Sequence, residues 1–478
     1  MVTQSRIPES LIPERMSGAF TRVRRSTRFA KDAAIIYAGY KRTARRTRDL
    51  DQVATDAIYD VQHESAAKRL YHLAVDLKGL NIKTGQFIGA RPDLVPQPFI
   101  KWLGRLHDQV PPRPLSVVRQ TIREELGEPV ESLFTEFDPD PIGAASLAQV
   151  HRATLPDGRD VAVKVQYPEV EKLVTIDLAN TTRIVNFLAR NEPNFDYRTI
   201  LAEMSNEVPH ELNFVREAEM IRRVAANLAN LDQVVLPEVI DGYVTRRVLV
   251  TSFIDGPKIL DREGLRRIKA DPEELAWSLA AAYGHQILSN GLFQADPHPG
   301  NILVRNDGKL ALIDFGLTKE FPDGVRHAVA RLVVAFAAKD PMGILAAFQE
   351  LGIETKHDEP GSLLTLVRLL LDERPMIGSD VLQASEQALT YNPINAIPED
   401  IVLLGRVISL LRGVATSLEV SFTPMEMLLP YAEAMLEGRP PPVTVGPIQA
   451  SPAAPVASEE PRPEQVNESS QETGEVAG

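Results

Sequence analysis

The chain has 478 residues, 44% hydrophobic and 24% charged, with no cysteine. It is long enough to bury a sizeable core in two or three domains, and it has no thiol for disulfides, thiolate zinc sites or a cysteine nucleophile. The net charge of −13 argues against nucleic acid as a main partner. No stretch approaches the roughly 18 uncharged apolar residues of a membrane span, and the first residues lack the apolar core of a secretory signal. A cytoplasmic protein is expected.

Taken in chain order, five regions emerge. Residues 1–50 form a basic N-terminal arm with twelve Lys/Arg against four Asp/Glu. Its charge run reads either as a solvated, loosely ordered arm or as an amphipathic basic helix, with Phe29, Ile35, Ile36 and Tyr37 interleaved, lying peripherally on an anionic membrane. Residues 51–115 are expected to be helical, from the spacing of Leu70, Leu73, Leu77 and Leu80, and broken by Pro92, Pro96, Pro98 and Pro111-Pro112. Residues 116–255 turn strand-rich, with Val161-Ala-Val-Lys164-Val and Arg247-Val-Leu-Val-Thr251 as β-branched runs and Leu155-Pro-Asp-Gly158 as a turn. Residues 256–438 return to helices, and 439–478, with eight prolines, read as a disordered tail.

The chemistry lies at the strand–helix junction. Asp296 stands five residues before Asn301, and Asn301 thirteen before Asp314 of Asp314-Phe-Gly316. That is the order by which kinase-like enzymes place a catalytic Asp, then an Asn and an Asp that hold Mg²⁺ against ATP. Upstream, Val161-Ala-Val-Lys164 matches the strand lysine that meets the nucleotide's phosphates. Its anionic partner is sought among Glu211, Glu217 and Glu219, with Glu217 favoured. Gly143-Ala144-Ala145-Ser146-Leu-Ala148-Gln-Val150 takes the place of a glycine-rich phosphate loop. Its alanines carry a Cβ that resists positive φ, so a stiffer loop is expected. Thr251–Gly256 is the expected hinge over the adenine, and His298, between two prolines, a loop-positioning residue. Helical periodicity resumes near Asp323 with no Ala-Pro-Glu before it, which disfavours a peptide substrate. The expected fold is α+β: a two-lobed protein-kinase-like fold with a small β-rich N-lobe, a helical C-lobe and an N-terminal helical extension over the cleft.

At these residues, over roughly 60–437, the chain resembles the UbiB/AarF family of atypical kinase-like proteins. The most specific mark is Lys83-Thr-Gly85-Gln86, matching that family's K-x-G-Q motif; Glu211-Leu-Asn213 matches its E-x-D, with Asn for the usual Asp, and Asp296 through Asn301 its D-P-H-P-G-N loop. Gly143 stands where alanine is usual, a departure expected to loosen the loop. The resemblance implies that the K-x-G-Q helix folds over the cleft with Lys83 near Glu211. It adds Lys83 to Lys164 and Asp296 as catalytic residues and Gln86 to the nucleotide-binding set. It further implies ATP and Mg²⁺ as cofactors, and ATPase or small-molecule kinase activity supporting quinone or isoprenoid-lipid metabolism. An isoprenoid lipid or quinone precursor would then be a partner. The alternatives are a non-catalytic, nucleotide-gated lipid-binding scaffold, or a phosphotransferase resembling those acting on aminoglycosides and choline.

Overall fold

The structure, a computed structural model, describes residues 14–89, 95–107, 112–145, 147–192, 198–355, 367, 394–396 and 398–446. Ser146 and the tail beyond 446 lie outside the described residues.

In the described part of the basic arm the helical reading holds over the loosely ordered one: Glu14–Arg46 is one helix, α1, docked on its neighbours. Arg25, Asp32, Thr43 and Thr47 are buried along a single stripe, with Ile36 half-buried between them. The Arg25 guanidinium donates to both oxygens of buried Asp177, at 3.1 and 2.5 Å. Its countercharge is 152 residues away, beyond the reach of any local charge count. Next come α2 (Gln52–Leu77), α3 (Leu80–Gly89) and α4 (Gln97–Leu103). Pro96 stands at the N-cap of α4 and Pro98 lies inside its first turn. The break between α2 and α3 comes instead at Lys78-Gly79, both at positive φ, and Pro92 and Pro111 lie outside the described residues. Leu103, Leu106, Ala66 and Ala67 form their small core, and Leu80 packs instead with Val170, Val174 and Leu212. No described helix is long and apolar enough to cross a membrane.

After α5 (Leu115–Leu126) and α6 (Val130–Leu133) come β1 (Glu136–Phe137), β2 (Gly143–Ala144), β3 (Ala148–Thr154) and β4 (Asp160–Gln166). Gly158, with φ +87°, makes the tight turn between β3 and β4. Three helices follow that the strand runs did not announce: α7 (Val170–Asn191), α8 (Arg198–Glu211) and α9 (Phe214–Asn227). Next are β5 (Val234–Val235), β6 (Val239–Val244) and β7 (Val248–Ser252). The first sheet is antiparallel in the order β1-β3-β4-β7-β6, with β2 on β3. Along β4 the side chains alternate: Val161, Val163 and Val165 are buried against α5 and β7, whereas Lys164 points to the other face.

The second lobe opens with α10 (Arg262–Ile268) and α11 (Pro272–Gly284), the latter running into a π-helical turn over His285–Asn290. Then come β8 (Leu292–Gln294), β9 (Ile302–Val304), β10 (Leu310–Leu312) and β11 (Thr318–Glu320). β8 pairs with β11, and β10 bridges β9 and β5. α12 (Asp323–Ala337) begins at the predicted residue and is followed by α13 (Pro341–Leu351) and the short pair β12 (Glu354–Thr355) and β13 (Ile394–Ala396). α14 (Glu399–Ser417) and α15 (Pro424–Leu436) close the lobe. Its core gathers Tyr283, Phe293, Phe315, Leu411 and Tyr431, all nearly inaccessible.

Candidate active site

Lys164 on β4 meets Glu217 on α9: its ammonium lies 2.6 Å from Glu217 Oε1 and 3.6 Å from Asp314 Oδ1. α9 positions Glu217 through its apolar stripe, since Phe214, Ala218 and Ile221 are buried on the same side. Asn213 caps that helix, its side chain accepting from Val215 N–H at 3.2 Å. The residue that departs from the acidic motif therefore has a structural role of its own. Glu219 faces solvent, and Glu211 pairs elsewhere. Burial opposes the Lys164 charge, but Asp314 and Glu217 outweigh it and hold its pKa well above the ordinary lysine range. Desolvation likewise opposes the charge on Asp314. Lys164, the Gly316 N–H and Lys83 prevail, and its pKa falls below the ordinary carboxylate range.

The acidic loop leaves β8 and makes a single 3₁₀ turn over Pro299–Asn301. His298 caps this turn, Nδ1 accepting from Gly300 N–H at 3.1 Å, which matches its expected place as a loop-positioning residue. Asn301 Nδ2 donates to the Asp296 carbonyl at 3.4 Å, leaving the amide oxygen for a metal. Asn301 and Asp314 are locked together through the backbone, Ile313 N–H donating to Asn301 O at 3.1 Å. Gln294, whose own role the motif did not indicate, donates to the Asp314 carbonyl and accepts from buried Tyr283.

Lys83 on α3 reaches across to Glu211 at the end of α8, at 2.9 Å. Desolvation works against its ammonium, yet Glu211, Asp296 and Asp314 together raise its pKa, so Lys83 lies within the field of the acidic cluster. Gln86, on the same helix, donates to the Leu106 carbonyl at 3.0 Å and ties α3 to the turn after α4; no contact joins it to Lys164 or Asp314 among the described residues. Gly143 and Ala144 pair with Val150 and Gln149, and Ala145 N–H donates to Ala148 O at 2.8 Å. The two described sides of the phosphate-loop candidate are thus paired antiparallel. Gly143 keeps negative φ and a Cβ there would meet nothing, so neither the backbone nor the packing requires glycine at this position. At the expected hinge, Gly256 lies so close to β9 that a Cβ would sit 1.9 Å from the Val304 carbonyl oxygen. A cavity of about 500 Å³ lies between Ser252–Asp255 and Arg305–Asp307, with neither Lys164 nor Asp314 in its lining.

One partner was not foreseen: Arg406 on α14 donates to Asp296 Oδ1 at 2.9 Å.

Residues 105–348 match the ABC1 atypical kinase-like domain, and the chain is 33% identical over 378 residues to AarF domain-containing protein kinase 1 of Xenopus tropicalis, covering 76% of this chain and 72% of that one. The chain belongs to the ABC1/AarF family of atypical kinase-like proteins. The mouse protein of the same name is also 33% identical, over 74% of this chain and 71% of its own length. Arabidopsis thaliana "Activity of BC1 complex kinase 8, chloroplastic" is 36% identical over 57% of this chain and 36% of its own. Among solved structures, a Mycobacterium tuberculosis protein in complex with erythromycin superposes with a TM-score of 0.52 at 23% identity, over 78% of this chain and 97% of that one. That likeness concerns the fold, which is protein-kinase-like. The ABC1 match begins at residue 105, after α1 to α3, yet α3 supplies Lys83 to the site.

Proposed function

We propose that this ABC1/AarF protein binds Mg·ATP between its lobes and hydrolyses it, or transfers its γ-phosphate to a small molecule, in support of quinone or isoprenoid-lipid metabolism. The observation that carries this reading is the convergence of Lys164, Glu217 and Asp314 within 3.6 Å of one ammonium, from three elements remote in sequence. Lys164 would meet the α/β-phosphates, with Glu217 fixing its direction. Asn301 and Asp314 fit Mg²⁺, since each offers a side-chain oxygen of the kind that ion takes. A metal held by two protein oxygens completes its shell with phosphates and water, as Mg²⁺ does. Bound there, Mg²⁺ would neutralise phosphate charge. Asp296 would accept the proton of the attacking water or alcohol, and the alanine-rich loop from Gly143 to Val150 would close over the phosphates. On this reading residues 51–115 form the extension, 116–255 and 256–438 the two lobes, and the basic arm gives peripheral contact with an anionic membrane.

The competing reading, a nucleotide-gated lipid-binding scaffold without turnover, draws on Lys83 and Arg406, which engage Glu211 and Asp296 where an acceptor would approach. ATP affinity and phosphate release, measured with Mg²⁺ and with lipid and quinone-precursor-like phenols, separate the two. Turnover that disappears in Asp314→Asn supports the enzyme. Affinity without turnover supports the scaffold, and absence of affinity defeats both.

A further inference from the structure

Arg406 is seven residues from Glu399, two turns along α14, so both lie on one helix face. Glu399 pairs with Lys319 at 3.1 Å, just past the Asp314 loop, and Arg406 with Asp296 at 2.9 Å. The opposite face of α14 is fixed in the core by Leu404, Val407, Ile408 and Leu411. The guanidinium therefore stands on a rigid support, and its side chain is only 14% exposed. Exposed ion pairs hold little geometry, but a pair this enclosed does. Arg406 Nε is buried with no partner among the described residues, so Asp296 is its principal anchor.

We propose that Arg406 is a positioning residue for Asp296. A carboxylate that takes a proton in an attack must be aimed, and a free carboxylate rotates between equivalent settings. Arg406 occupies Oδ1 and leaves Oδ2 to face the nucleophile. As the water or alcohol oxygen bonds to the γ-phosphorus, its proton passes to Oδ2 and the bond from that phosphorus to the β,γ-bridging oxygen breaks, releasing ADP. Arg406 touches neither nucleotide nor nucleophile in this step; it acts through Asp296.

This inference rests on the ATP-turnover reading, and the test separates the two failures. Turnover and ATP affinity are measured for the wild-type chain, Arg406→Ala and Arg406→Lys. A positional defect gives Arg406→Ala a kcat about 10- to 100-fold lower, with KM and affinity for ATP close to wild type. Guanidinium ion added at millimolar concentration restores part of that rate without raising the wild-type rate, and Arg406→Lys falls between the two. If Arg406→Ala does not fold, Arg406→Lys with an unaltered kcat is enough to overturn the proposal. So is an alanine variant with wild-type kcat, or one whose loss is matched by lost ATP affinity. A wild-type chain without turnover overturns the parent reading, and this one with it.

Discussion

At Lys164 two carboxylates share one ammonium, and the more enclosed of them, Glu217, is 4% exposed. Removing the cation alone leaves a buried carboxylate without its principal counterion, which costs more than the pair itself contributes. Lys164→Met is therefore expected to lose ATP affinity and to lower the unfolding temperature. Adding Glu217→Gln should recover stability but not affinity, since the buried charge is gone while the phosphate contact is still missing. Thermal unfolding and nucleotide titration of the single and double variants check this; a Lys164→Met protein as stable as wild type would contradict it. The choice of Glu217 over Glu219 was legible in the sequence, because only Glu217 falls on the stripe of Phe214, Ala218 and Ile221. Arg406 was not. It comes 110 residues after Asp296, on a helix whose period announces only its core face, and no motif spacing links the two.

Among the elements, α1 takes the helical of the two forms expected for the basic arm, and its anchorage has a measurable consequence. Arg25 bonds both Asp177 oxygens and the Leu77 carbonyl, while Asn81 Nδ2, two residues before Lys83, donates to Asp177 Oδ2 at 2.8 Å. One buried carboxylate on α7 thus holds α1 and the start of α3 together, and the Arg25 it fixes reaches the end of α2. Asp177→Ala strands a buried guanidinium and an amide, a change worth about 3–5 kcal/mol when a buried pair is broken. The expected outcome is a lower unfolding temperature with early trypsin cleavage within the arginines of α1, read by mass spectrometry. Cleavage first elsewhere, with α1 as resistant as in wild type, would show that the latch is not what holds it. The motifs identified the site strands and the Asp323 helix start because those rest on local patterns. The docking of α1 rests on Asp76 of the next helix, α2, and on Asp177 and Glu192, which α7 and its C-terminal end supply from far along the chain.

For the whole molecule the charge is divided: a net −13 overall, against twelve Lys/Arg and four Asp/Glu in the first fifty residues. Arg25 turns inward and Arg28 and Lys41 are engaged by acidic partners at the surface, whereas Arg24, Lys31, Arg42 and Arg45 lie exposed along the outer side of α1, with Ile35 between them at 40% exposure. Each cation near an anionic bilayer contributes about 1 kcal/mol, falling off within a screening length of about 10 Å at 0.1 M salt. The acidic remainder of the chain would be repelled by the same surface, so binding should depend on this face. Vesicles containing anionic lipid are expected to sediment the protein at low ionic strength, and purely zwitterionic vesicles to leave it in solution. Exchanging Arg24, Lys31, Arg42 and Arg45 together for Glu should release it without changing ATP affinity, because none of the four contacts the cleft residues. Raising the salt should do the same to the wild-type chain. Equal sedimentation with both lipid compositions, or binding indifferent to the fourfold exchange, would place the contact elsewhere and leave the outer face of α1 as a solvated surface.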